Sequence, residues 1–461
     1  MLLAVYCYWE HPKRYLSVFL MFFLITAGFQ LVPSSFLELS AIGVSKPHDW
    51  VLIYALIIMV LFPVVFLDVK VWKEVDGIQY LLFTLVFLTA YSAIYVGVET
   101  QVTIRVLRNY LFFILIFPFL QLSRVGFYRV LQLVVYFTSL ASFLYCLQPL
   151  IGSAILSGAP VENALEAGAV SRGAGGILRF YNLPFLVVPT VFILFAGKSI
   201  LNIKYHNALL LINLLAVVLS QHRNLLLTLI CCSVFYLIIY RKINFGKVLS
   251  YGLMLSLLFI GVDIYFSNRF SEGVLELFSS SDQVTPYMLY STNISEVSTT
   301  EFRRLHFFER FLYAQKDIWT SLFGLGFLTE DSVLVDRLSF TIGLTSEYGE
   351  VAQVDTSDIA WSVFVVHFGI VGTLALLYFY WSLTRLFLSK KDDVICKVGV
   401  LYLLSLIFTS FYSVSIILPQ TFCLIVFLAA YCYKYKSCEE YGEREDWSST
   451  EYAANDNFLR L

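Results

Sequence analysis

The sequence predicts an all-α, polytopic integral membrane protein of about 12 transmembrane helices, with a large external loop before the last three. Three observations predict it. The chain is 59% hydrophobic and 14% charged, with 42 Phe and 30 Tyr in 461 residues, a supply that builds no water-facing surface for a domain of this size. Its apolar residues come in blocks of about 20, long enough to cross a hydrocarbon layer of about 30 Å. Its basic residues fall on alternate connections between those blocks.

In chain order the blocks place spans near 15–32, 48–68, 78–97, 103–120, 128–152, 180–197, 206–221, 224–240, 247–266, 358–384, 395–411 and 415–433. Lys13/Arg14, Lys70/Lys73, Arg124/Arg129, Lys198/Lys204, Arg241/Lys242/Lys247, Arg385/Lys390/Lys391/Lys397 and Lys434/Lys436 mark the cytoplasmic ends, which puts both termini inside. The block after Lys13 and Arg14 is longer than a signal h-region and meets no small-residue cleavage pattern, so it is expected to remain as the first span. The division that follows is a nine-span membrane bundle over 1–266, a large external loop over 267–357, three final spans over 358–434 and a flexible acidic cytoplasmic tail over 435–461.

The cysteines lie in or beside apolar blocks and none falls in the large loop, which must therefore hold its shape without a disulfide. Adjacent Cys231 and Cys232 have no histidine or second cysteine pair at ligand spacing, so no metal and no cofactor is expected. The loop through Asp358 carries six Lys/Arg against fourteen Asp/Glu, which disfavours nucleic acid as a partner. Within it, Arg303–Gln315 repeats apolar residues at helical spacing, with Leu305, Phe308, Phe311 and Leu312 on neighbouring turns. That pattern reads as an amphipathic helix on the membrane or capping the bundle.

Arginines stand where a bland scaffold needs none. Arg105 and Arg108 open the fourth span, where they either snorkel to headgroups or face a cavity. Arg172 and Arg179 flank the Gly-rich connection 153–179, as solvated loop residues or ligands. Arg223 belongs to a polar knot, Ser220-Gln221-His222-Arg223, between two spans joined with almost no loop, so its guanidinium is expected to face the interior or an outward cavity. Its planar fork suits phosphate oxygens, and several arginines together hold a diphosphate without a metal. His222 reads as structural. The large loop adds Arg303, Arg304 and Arg310, then Trp319 and the LFGLGF turn, in which Gly324 and Gly326 permit close backbone approach. Asp355 and Asp358 precede a span as helix caps; Asp358 is equally placed to serve as a general base, with His306 and Glu309, three apart on the loop helix, as backups.

In order and spacing, SQHRNLLL after a short turn, RRLHFFER, LFGLGF and then DIAWSVFVVHFGIVG resemble the O-antigen polymerase and ligase superfamily over most of the chain. Family ligases commonly carry a histidine followed by asparagine eleven residues before the first glycine of a closing GxxG. Counting back from Gly369 gives Asp358 followed by Ile359, which leans toward the polysaccharide polymerases. The resemblance implies a membrane glycosyltransferase that passes a glycan chain from polyprenyl diphosphate to a lipid-linked repeat unit at the outer face of the bacterial cytoplasmic membrane. Arg223, Arg304 and one or both of Arg172 and Arg179 would hold the diphosphate, Gly324/Gly326 would form the turn, and Asp358, His306 or Glu309 would take the acceptor proton. Implied partners are a polyprenyl-diphosphate-linked oligosaccharide, membrane lipids, a flippase and a chain-length regulator. A ligase is the nearest alternative; a glycan transporter is disfavoured by the absence of matching halves.

Overall fold

The computed structural model describes residues 2–33, 36–37, 46–63, 72, 75–157, 170–172, 178–197, 201–241, 246, 299–343, 353–354, 358–390 and 393–440. Its longer helices are α1 (Arg14–Ile25), α2 (Asp49–Leu61), α3 (Asp76–Ala90), α4 (Thr100–Tyr110), α5 (Arg124–Ile151), α6 (Val187–Gly197), α7 (His206–Leu219), α8 (Arg223–Ile239), α9 (Thr299–Ala314), α10 (Gly369–Ser389), α11 (Val394–Thr409) and α12 (Pro419–Glu440). A two-stranded antiparallel hairpin, β1 (Val170–Arg172) and β2 (Leu178–Phe180), pairs Ser171 with Arg179. The expected span at 247–266, most of the connection 153–179, and the tail beyond 440 lie outside the described residues.

Local chemistry sets helix length more tightly than hydropathy does. In α5 the Ser123 hydroxyl accepts from Gly126 N–H at 3.1 Å and Gly152 closes the far end in a left-handed conformation, so one helix fills one apolar block. The block at 15–32 instead stops being helical at Ile25. There the Thr26 hydroxyl donates to Phe22 O at 2.7 Å, and Ala27, Gly28, Phe29 and Gln30 all take positive φ, turning the chain back.

The expectation of about 12 transmembrane helices is corrected by these lengths. Among the described residues four helices are long and apolar enough to cross a membrane: Asp76–Val96, Thr100–Leu120, Arg124–Ile151 and Ala360–Ser389. Others, including α1, α2, α6, α7, α8 and α11, have 10–17 residues. At 1.5 Å per residue even 17 residues cover only about 26 Å, less than a hydrocarbon core. The inside-outside alternation that placed both termini in the cytoplasm and the loop outside therefore loses its basis. A multi-pass location in the bacterial cytoplasmic membrane is withdrawn with it. The four long helices do carry exposed apolar side chains, Phe83, Val86, Ile94, Leu374 and Trp381 among them.

Packing between helices is extensive, and one apolar cluster runs from the first helices to the last. At its centre is α12, whose side chains from Phe422 to Cys432 are all 0% exposed. A helix apolar on every face has to be enclosed on every face. Phe427 meets Phe22 and Phe119 at 5.3 Å and Phe127 at 5.0 Å between ring centroids, tying α12 to α1, the Ile116–Leu120 turn and α5. A buried disulfide, Cys396–Cys432, joins α11 to α12.

The expected external loop is folded into the bundle wherever it is described. On α9 the inward face carries Leu305, His306 and Arg310, and Leu312 is exposed. Arg310 is wholly buried: it donates to Glu309 at 2.8 Å and to Gln353 O at 3.0 Å, and stacks 4.5 Å from the Phe340 ring. Gly324, at φ +83°, sits where a Cβ would lie 2.5 Å from Val366 O. That close approach lets Leu325 N–H reach Val366 O at 2.7 Å, and Phe327 N–H reaches the Ser92 hydroxyl at 2.9 Å.

Candidate anion site

Five parts of the chain converge around the turn between α7 and α8. Ser220 is helical, Gln221 takes φ +53°, and His222 is extended, so three residues reverse the chain. Arg179, from β2, donates through Nε to Ser220 O at 3.0 Å, and its Nη2 lies 3.3 Å from His222 Nδ1. Arginine has only donors, so Nδ1 accepts and the neutral imidazole carries its proton on Nε2. The Arg179 guanidinium also stacks over the Tyr181 ring at 4.4 Å, which fixes its plane.

Arg303, near the start of α9, is the second cation. Burial, then Arg179, then Arg303 push the His222 imidazole down to about 4, so it stays neutral at ordinary pH. Arg303 Nη2 stands 3.9 Å from Asp358 Oδ1, and its Nε is buried without a hydrogen-bond partner. The first amides of α8 add the positive end of a helix dipole. Tyr412 closes the far side, donating to Asn224 O at 2.9 Å, with the Thr228 hydroxyl 2.6 Å from its oxygen.

The structure brings together some of the sequence-nominated residues. Arg179 and Asp358 belong to the cluster, Arg223 opens α8 beside it, and Arg172 lies on the strand that pairs with β2. Arg304 follows Arg303 but projects about 100° further round α9. Others have different work. His306 is buried with Nδ1 2.8 Å from the Ser362 hydroxyl. Glu309 accepts from Thr341 N–H at 2.7 Å, Thr341 Oγ1 at 2.9 Å and Ile342 N–H at 3.1 Å. Gly324 and Gly326 serve packing, Gly326 with a Cβ position 3.0 Å from Ser92 Oγ. Ile359, not Asp358, holds the N-cap position of the following helix, and Ala360 N–H goes to Ser410 O at 3.1 Å. Asp355 lies outside the described residues. Arg105 pairs with Asp331, and Arg108 pairs with Asp49 at 2.9 Å.

Sequence reasoning undervalued Arg303 and His222. The signal for Arg303 was its spacing: residues 303, 306 and 310 share one face of a helix, the face that turns inward.

No protein-family model and no curated protein matches the sequence. Together with four candidate spans instead of about twelve, this removes the resemblance to the O-antigen polymerase and ligase superfamily. The motifs behind it have local explanations, since a Gly-x-Gly turn arises wherever two backbones must touch, and arginines close short helical turns. The membrane glycosyltransferase assignment goes with it, whether as polysaccharide polymerase or as ligase, and so does the transporter alternative, because each needs the many-span arrangement. The associated partners, a polyprenyl-diphosphate-linked oligosaccharide, membrane lipids, a flippase and a chain-length regulator, likewise lose their basis. Among the described residues no group of three or more His, Cys, Asp or Glu is placed to hold a metal ion.

Proposed function

We propose that this chain recognises a phosphate-type oxyanion at the turn between α7 and α8. The observation that carries the reading is that Arg179, from β2, lies 3.3 Å from a neutral His222, with Arg303 of α9 near enough to help hold that imidazole neutral. Two guanidinium groups near one imidazole favour negative charge beside them, and the Asp358 carboxylate stands 3.9 Å from Arg303. Guanidinium forks match phosphate oxygens, and the neutral His222 offers an Nε2–H donor alongside them.

Isothermal titration of the purified chain with inorganic phosphate tests this. Arg179→Ala and Arg303→Ala are each expected to weaken binding by at least about tenfold, the size of a lost charge-assisted contact. Unchanged affinity in both variants, or no binding by the wild-type chain and by Asp358→Asn alike, overturns the proposal.

A further inference from the structure

We infer that anion binding at this turn is coupled to proton uptake by His222: an incoming dianion takes the Arg179 hydrogen that Nδ1 now accepts, and the Nδ1 lone pair so released takes a proton from solution. This rests on the anion-site reading above. Three observations carry it. Arg179 Nη2 lies 3.3 Å from His222 Nδ1, the long end of the hydrogen-bond range, so a charged oxygen is a better acceptor for that hydrogen than the neutral ring. Arg179 is also held through Nε by Ser220 O at 3.0 Å and stacks on the Tyr181 ring at 4.4 Å, so it can change acceptor without leaving the turn. His222 is only partly buried, and its ring stands edge-on to Tyr181 at 6.3 Å between centroids, a contact that keeps the imidazole in place when its hydrogen bond is given up.

Burial first, and then the positive charges of Arg179 from β2 and Arg303 from α9, hold the free imidazole at about 4. The other titratable groups of the cluster are Tyr181 beside Arg179, Arg223 next in the chain, Tyr412 on the far side of the start of α8, and Asp358, 3.9 Å from Arg303. A bound dianion opposes the two positive charges and draws the donor away from Nδ1, and both changes favour the imidazolium. The pKa of His222 is therefore higher in the occupied site than in the free one. Linkage fixes the direction: affinity is lowest above the occupied-site pKa, rises as pH falls through it, and levels off below about 4, where the free site is protonated as well. In mildly acid solution the occupied site then holds a third cation, which suits a dianionic oxyanion better than a monoanion.

Isothermal titration of the full chain with sulfate, a dianion that does not itself titrate near neutral pH, tests the inference. Wild type should bind sulfate about tenfold more tightly at about pH 5.5 than at about pH 7.5, the change for one linked proton over one unit of pH. Repeating the acid titration in buffers of different ionisation enthalpy should show protons taken up on binding. In the nitrogen resonances of wild type at the acid pH, sulfate should convert the His222 ring from its neutral form to the imidazolium. His222→Gln keeps an acceptor and a donor but cannot titrate, so its sulfate affinity should change less than twofold between the two pH values; Asp358→Asn should keep the wild-type dependence, which separates His222 from the nearby carboxylate. Equal wild-type affinity at both pH values, a neutral His222 ring in the sulfate-bound protein, or a dependence that survives in His222→Gln or vanishes in Asp358→Asn overturns the proton coupling; with Arg179→Ala still weakening binding, the anion site stands. Absence of sulfate and phosphate binding by wild type at either pH overturns both.

Discussion

Replacing Arg310 with methionine should cost roughly 3–5 kcal/mol of stability, the range for removing one partner of a buried pair. The figure follows from its contacts. Arg310 is 0% exposed and donates to Glu309 at 2.8 Å and to Gln353 O at 3.0 Å, two charge-assisted bonds of about 1.5–3 kcal/mol each. Methionine refills much of the volume against Phe340 but leaves the Glu309 carboxylate without its cation. Burial opposes the arginine's own charge, lowering its pKa to about 10 despite Glu309 and Glu330 nearby. Removing both charges should accordingly hurt less than removing one. The double variant Arg310→Met with Glu309→Gln is expected to recover about 1–2 kcal/mol of the single-variant loss. Equilibrium unfolding followed by near-ultraviolet circular dichroism measures both quantities, and limited proteolysis within 299–343 locates the damage. An Arg310→Met protein within about 0.5 kcal/mol of wild type would falsify the claim that this arginine pins the segment.

Gly324→Ala should destabilise by about 2–3 kcal/mol, because its φ of +83° adds to a Cβ position 2.5 Å from Val366 O. Gly97→Ala shares a φ of +81° but has nothing within 4 Å, so it should cost only about 1 kcal/mol; equal losses in the two melts would refute the packing role. His306, lowered to about 3 by burial and then by Arg310, is bound neutral in the fold. The unfolded chain takes up its proton first, so stability is full above about pH 6.5 and falls as pH drops toward 3. Between pH 7 and pH 5 this group alone should remove about 2 kcal/mol, read as a narrowing gap between wild type and His306→Gln in pH-series unfolding. If phosphate binds between Arg179 and Arg303, the His222 imidazole should titrate at higher pH in its presence; an unmoved ring resonance by nuclear magnetic resonance would count against that placement.

Much of the helical content could be read from the sequence, and its lengths could not. The block at 128–152 became α5 because Ser123 and Gly152 bound it without interruption. The block at 180–197 gave only α6, eleven residues starting at Val187, and the block at 15–32 gave twelve ending at Ile25. Hydropathy records which residues avoid water; backbone turns inside an apolar run leave no trace in it. The same gap affected the site. The polar knot around Arg223 was visible because polar residues interrupt two apolar runs. The partners Arg179 and Arg303 arrive from 44 residues before and 80 residues after Arg223, and nothing in local spacing signals that meeting.

The most enclosed of the described helices, α12, is also the last of them to leave the ribosome. Until Phe422–Cys432 arrives, α1, α5 and α10 have no centre to close around, and their inward aromatic rings must be sheltered by other means. A chain that stalls before Pro419 would leave the apolar side chains that pack on Phe427, among them Phe22, Phe119 and Phe127, without that cover. Closure of the described core waits on the segment Phe422–Cys432.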